Sequence, residues 1–215
     1  LDVSRIDELP PGRSPVTTVA ISTARRAEVV DRIRAACGEG RQAYWVCTLI
    51  EDSEQLEAQA AETTHAELER TLQGISIGLI HGRMKPAEKQ KVMQQFQSGA
   101  ISVLVATTVI EVGVDVPNAS LMIMENAERL GLAQLHQLRG RVGRGSLASS
   151  CVLLYQPPLS AMARERLNAL RETNDGFEIA EKDLKLRGPG ELLGTRQTGR
   201  LEFRIANLTR DAAML

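Results

Sequence analysis

Short apolar runs alternate with segments of helical period from Val16 to Gln156, and this alternation constrains the chain more than any other feature. VTTVAI precedes RRAEVVDRIRAAC, whose Val29, Ile33 and Ala36 fall on one face of a 3.6-residue helix. AYWVCTLI is apolar at both alternations, as a strand buried on two sides must be. SEQLEAQAAETTHAELERTL reads as a long helix capped near Ser53, and ISIGLIHG as a strand. PAEKQKVMQQFQSG reads as a helix with proline at its start and glycine at its end. ISVLVATT, SLMIME and SSCVLLYQ are further strands, with an arginine-bearing helix between the last two. Strands separated by helices build βαβ units, so the expected fold is α/β, a three-layer domain around a mostly parallel sheet. After Pro157 and Pro158 the texture changes to two helical segments, LSAMARERLNALRE and FEIAEKDLKLR, and a glycine-spaced loop, RGPGELLGTRQTG. The expected organisation is a linker over residues 1–15, the α/β domain over 16–157, and a helical hairpin with its loop over 158–215.

Hydrophobic content of 43% and charged content of 25% are those of a soluble globular protein. A net charge of −1 gives no global basic field, so any nucleic-acid contact must come from local patches. Cys37, Cys47 and Cys151 form no CxxC and lie far from His65, His81 and His136, which argues against a zinc site and for a reduced, cytoplasmic setting. No run approaches the roughly 18 apolar residues of a membrane helix. LDVSRIDELPPGRSPV, with its ProProGly turn and no period, reads as a junction to an upstream domain.

Ligands of open parallel sheets collect at the carboxyl ends of the strands. Thr107 and Thr108 leave ISVLVA and lead to Gly113 and Asp115; HGRMKP follows SIGLI; the arginine segment follows SLMIME. All three are expected on one edge of the sheet. In QLHQLRGRVGRG a helical wheel puts Leu135, Leu138 and Val142 on one face and Gln134, Gln137, Arg141 and Arg144 on another, with Gly140 and Gly143 between. Two always-charged guanidinium forks suit phosphate or carboxylate. No GxxxxGK[ST] phosphate loop occurs in the sequence. Arginines offered across an interface contribute about 10³–10⁵ in rate to a nucleotide hydrolase. These arginines are therefore expected to serve a nucleotide held mainly by another domain.

QLRGRVGR resembles motif VI of the superfamily 2 helicases, TTVIEVGVD their motif V, and AYWVCTLI with IGLIHGRM their motif IV region. Together they resemble the second RecA-like motor domain. ENAERLGLAQLHQLRGRVGRG, followed by DGFEIAEKDLKLRGPGELLGTRQTG, resembles the RecG-type ATP-dependent DNA helicases over essentially the whole chain. The second segment is similar to the translocation motif which that family shares with the transcription-repair coupling factor. The resemblance implies that Arg141 and Arg144 contact the ATP phosphates, with Arg144 as the finger, and that Gln137 supports them or the nucleotide edge. It implies that Asp115, beside Gly113, binds the ribose, and that Thr107 and Thr108, with His81 and Gly82, approach the DNA backbone. Arg187, Arg196 and Gln197 of the glycine-rich loop would reach DNA as well. ATP and Mg²⁺ would be held mainly by the upstream domain. The intact protein would move along double-stranded DNA and remodel replication forks and branched (Holliday) junctions in recombination and repair. A wedge domain would be a further partner.

Many RNA helicases of the superfamily carry an arginine before the motif V glycine, where this chain has Val112, which argues against an RNA helicase. Two rivals stand beside this reading: the same module of a transcription-repair coupling factor, with RNA polymerase as partner, and a non-catalytic DNA-binding module. Arg139 falls toward the apolar side of its helix and is expected to reach either the adjoining hairpin or an ion pair within the domain. KPAEKQK is expected to be a solvated face and His65 a surface residue, while Trp45, Met122 and Met124 are expected in the core.

Overall fold

The computed structural model describes residues 15–48, 54–107 and 116–187. Six strands form one sheet: β1 (Val16–Ser22), β2 (Gln42–Val46), β3 (Ile77–Ile80), β4 (Val103–Ala106), β5 (Ala119–Met124) and β6 (Ser149–Tyr155). Their order is β1-β6-β5-β2-β4-β3, and every neighbouring pair is parallel. Among the described residues six α-helices accompany them: α1 (Arg26–Gly38), α2 (Glu54–Thr71), α3 (Pro86–Gln97), α4 (Leu132–Arg139), α5 (Ala161–Glu172) and α6 (Gly176–Arg187).

The side-chain alternation of each strand divides the core in two. Ala43, Trp45, Val103, Val105 and Ile123 pack with Val29, Val30 and Ile33 of α1 and Ala61 and Leu68 of α2. Tyr44, Val46, Leu104, Met122 and Met124 face the other way, toward α3, α4 and α5. β2 is buried at all five positions, which is why its sequence is apolar at both alternations. Trp45, Met122 and Met124 are in the core, as their sequence context requires. The hairpin shares this core: Leu167, Ala169 and Leu170 of α5 and Ile179 of α6 belong to the α4 side.

Local chemistry sets the helix ends. Pro86 opens α3, and the Glu88 carboxylate accepts the Lys85 N–H at 3.2 Å. Ser160 caps α5 by accepting the Ala163 N–H at 3.1 Å. Two expectations need correction. The arginine-bearing helix stops at Arg139, because Gly140 is its C-cap and Gly143 takes φ +80°. Arg141 and Arg144 therefore leave the helix and do not share a helical face with Gln134 and Gln137. His65 is half-buried instead of lying free on the surface, with Nε2 3.4 Å from the Ile77 carbonyl. The Ser53 cap and the 1–14 part of the linker lie outside the described residues.

Candidate functional site

β3 and β4 are adjacent, with Ile80 opposite Ala106, so the residues that follow them emerge side by side. His81 and Thr107 occupy those positions, and the Thr107 N–H donates to the Ile80 carbonyl at 3.2 Å. Both residues are buried, at 9% and 1% exposure. Thr107 Oγ1 and His81 Nδ1 have no hydrogen-bond partner among the described residues, although buried polar atoms are nearly always paired. His81 Nε2 lies 3.4 Å from the Glu62 carboxylate. Beside them the Gly82 carbonyl accepts from Lys89 Nζ at 3.1 Å, so one lysine of KPAEKQK is tied down while Lys85 and Lys91 are exposed. Unpaired donors and acceptors beside a glycine backbone suit an oxygen-rich, anionic ligand.

The arginines are elsewhere. α4 begins near the carboxyl ends of the strands and returns along the sheet face. The loop after it meets the opposite edge, where Gly145 lies against the backbone of Pro117, two residues before β5 starts. The expectation of one shared edge is thus overturned: chain order placed α4 after a carboxyl end, but its arginines arrive at the other end of the sheet. Arg144 is half-buried, and its Nε donates to the Gly140 carbonyl at 3.2 Å. Arg141 is buried at 8% exposure with no hydrogen bond or ion pair to its guanidinium among the described residues. Gln137 is exposed on the last turn of α4. Thr108, Gly113, Asp115, Arg196 and Gln197 lie outside the described residues, as does the side chain of Arg187 at the end of α6.

Arg139, the arginine with two possible destinations, reaches the hairpin. Its Nη1 donates to the carbonyls of Leu170 at 2.7 Å and Thr173 at 2.9 Å, and its Nη2 lies 3.1 Å from His136 Nδ1. Burial pulls its pKa below the ordinary guanidinium value. Arg166 of α5 makes the reverse connection, donating to the carbonyls of Leu130 at 3.0 Å and Glu128 at 3.1 Å.

Sequence reasoning passed over Glu125, just beyond β5. Its carboxylate accepts from Arg26 Nε at 2.7 Å and Thr64 Oγ1 at 3.3 Å, and Arg26 stacks on Trp45 with Cζ 4.9 Å from the ring centroid. A carboxylate directly after a strand's carboxyl end was the available signal. Burial pushes Cys47 and Cys151 up to about 12, so both thiols are neutral and neither is a nucleophile. Among the described residues no cluster of His, Cys, Asp or Glu could hold a metal ion, and no helix is long and apolar enough to cross a membrane.

Residues 25–146 match the family model described as "Helicase conserved C-terminal domain". Residues 173–215 match that of "ATP-dependent DNA helicase RecG, domain 3, C-terminal". The chain is 70% identical to the ATP-dependent DNA helicase RecG of Escherichia coli K12 across its whole length, covering 31% of that protein. It is 44% identical to the RecG of Bacillus subtilis over 98% of its length, again 31% of the relative. It thus spans under a third of these curated relatives. A structure of RecG bound to a three-way DNA junction superposes with a TM-score of 0.74 at 44% identity, covering 97% of this chain and 26% of that one. The C-terminal domain of the DEAD-box protein Dbp5 matches with a TM-score of 0.53 at 17% identity, covering 77% of this chain and 95% of that domain, a likeness of fold alone.

Proposed function

The chain belongs to the helicase conserved C-terminal domain family, and from that premise we propose that it is the second motor domain and translocation hairpin of a RecG-type, ATP-driven translocase of double-stranded DNA. In the intact protein, ATP and Mg²⁺ sit between this domain and an upstream one that supplies the phosphate loop. Arg144 and Arg141 come to the phosphates from the loop after α4, with Gln137 behind them. Asp115 and Gly113 serve the ribose side. His81, Gly82, Thr107 and Thr108 take the DNA backbone at the carboxyl edge, and Arg187, Arg196 and Gln197 extend that contact beyond α6. Residues 16–157 act as the motor core, 158–215 as the moving element, and 1–15 as the connection upstream. The work is the remodelling of forked and branched DNA in recombination and repair.

The observation that carries this reading is the presence of buried polar groups without a partner among the described residues at two separate places: the Arg141 guanidinium toward one end of the sheet, and His81 Nδ1 with Thr107 Oγ1 at the other. A site for a single ligand would gather them. A motor that binds nucleotide in one place and a DNA strand in another needs them apart, joined by a rigid sheet. Arg139 supplies the mechanical link, since α4, which leads into the arginine loop, is tied through it to the end of α5.

The test compares this chain with the full-length protein on forked DNA. ATP turnover stimulated by the fork, with branch unwinding, is expected only from the full-length protein. Robust DNA-stimulated turnover by this chain alone would sink the divided nucleotide site.

A further inference from the structure

We propose that Gly145 is a positioning residue for the arginines, acting through a backbone contact that a side chain would destroy. This rests on the functional reading above. A Cβ built on Gly145 would stand 2.5 Å from the Pro117 carbonyl oxygen and 3.2 Å from its carbon. Real Cβ atoms essentially never come within 3.0 Å, so even alanine must force the two backbones apart by about half an ångström.

Neither backbone yields cheaply. Pro117 has a ring-fixed φ and sits in a turn closed by the Ala119 N–H donating to the Val116 carbonyl at 3.0 Å. The next carbonyl, Asn118, accepts the Gln42 N–H at 2.9 Å, which ties the turn to β2 at the centre of the sheet. Val116 is buried. On the other side, the arginine loop is held by buried Val142, by Arg144 Nε on the Gly140 carbonyl, and by Arg41 Nη2 donating to the Ala148 carbonyl at 2.6 Å. Gly145 lies between these anchors, next in sequence to Arg144. Its requirement differs from that of Gly143, whose φ of +80° demands glycine for conformation. At Gly145 the requirement is space. The contact joins the end of the motif VI stretch to the residues that follow motif V, and it sets how far Arg144 and Arg141 stand from the sheet. A misplacement of 1 Å in a reacting arrangement can cost about 10²-fold in rate.

The experiment uses the full-length protein, with forked DNA and ATP, and compares wild type, Gly145→Ala and a control, Gly38→Ala, whose Cβ would meet nothing within 4 Å. The expected result for Gly145→Ala is a fall of at least about tenfold in DNA-stimulated kcat. KM for ATP and fork affinity should stay near wild type, while the strain lowers the melting temperature by no more than a few degrees. A second variant, Gly145→Ala with Pro117→Gly, frees the opposing carbonyl and is expected to recover at least about a third of the lost turnover. Wild-type kcat in Gly145→Ala overturns the proposal. So does a loss that follows melting temperature and is unrelieved in the double variant, because Gly145 would then serve packing only. A wild-type protein without fork-stimulated turnover would instead overturn the functional reading, and this proposal with it.

Discussion

Arg139 reaches from the last turn of α4 to the end of α5, where its Nη1 donates to the Leu170 carbonyl at 2.7 Å. The same nitrogen takes the Thr173 carbonyl, while Nη2 meets His136. A planar fork serves these three partners at once, and a lysine ammonium has no equivalent reach. Arg139→Lys should therefore leave a buried carbonyl unpaired and destabilise this domain by about 1–3 kcal/mol. Thermal unfolding of the variant should show a drop of several degrees. An unchanged melting temperature would mean that the bridge carries no load.

The two proposed phosphate-facing arginines differ in their surroundings, and the difference is testable. In the full-length protein, Arg144→Ala should lower DNA-stimulated ATP turnover by about 10³, roughly 4 kcal/mol of transition-state stabilisation, with ATP affinity and folding nearly kept. An unchanged rate would move the catalytic charge to Arg141. Arg141 is buried without a partner among the described residues, so Arg141→Met should also reduce turnover while leaving the melting temperature level or slightly higher.

The sheet was legible because parallel strands are buried on both faces and read as unbroken apolar runs; β2 is the plainest case. The course of the arginine segment was not. Val142 is buried and continues the period of Leu135 and Leu138, so the helical pattern outlasts the helix. Gly140 and Gly143 end that helix, where the wheel placed them between its two faces, and Gly145, beyond the helix, meets the Pro117 backbone. Nor could sequence order show that α4 carries Arg144 away from the strand end it follows. His81 and Thr107 were recognisable as the first residues past two strands, but their adjacency depends on β3 pairing with β4. The Glu125 network depends on α1 and α2 meeting above β5, which no local pattern encodes.

Thr107→Val keeps the shape of the side chain and removes a hydroxyl that has no partner among the described residues. Stability should be unchanged or slightly improved, since a buried unsatisfied group is lost. Binding of the full-length protein to forked duplex should weaken by about 1 kcal/mol, roughly fivefold in Kd, if that hydroxyl serves a phosphate. Fluorescence anisotropy would measure it. Undiminished affinity would remove Thr107 from the DNA contact.

Glu125 fixes Arg26 over the single tryptophan of the chain, so its loss is visible optically. Glu125→Ala should destabilise the domain by about 1–3 kcal/mol by removing the acceptor of Thr64 and the nearer of the two carboxylates of Arg26, which keeps Glu67 at 3.4 Å. Trp45 emission should change in intensity as the guanidinium leaves the ring. An unaltered spectrum with an unaltered melting temperature would show that Arg26 holds its place without the carboxylate.

The thiols make alkaline stability a further prediction. Burial first, and then the Glu125 charge, raises Cys47 from 9.0 to about 12, and burial raises Cys151 to the same value. A group whose folded pKa is raised holds its proton more tightly in the folded state. Its contribution is complete below the unfolded pKa and is lost as pH climbs through the window between the two. From about pH 9 upward the folded state should therefore lose as much as about 1.4 kcal/mol per pH unit for each thiol. Replacing Cys47 and Cys151 by alanine should flatten that slope, even if the variant starts less stable. Urea unfolding between pH 8 and 10.5 under reducing conditions would show it. Parallel slopes for the two proteins would mean that the thiols do not govern the alkaline limb.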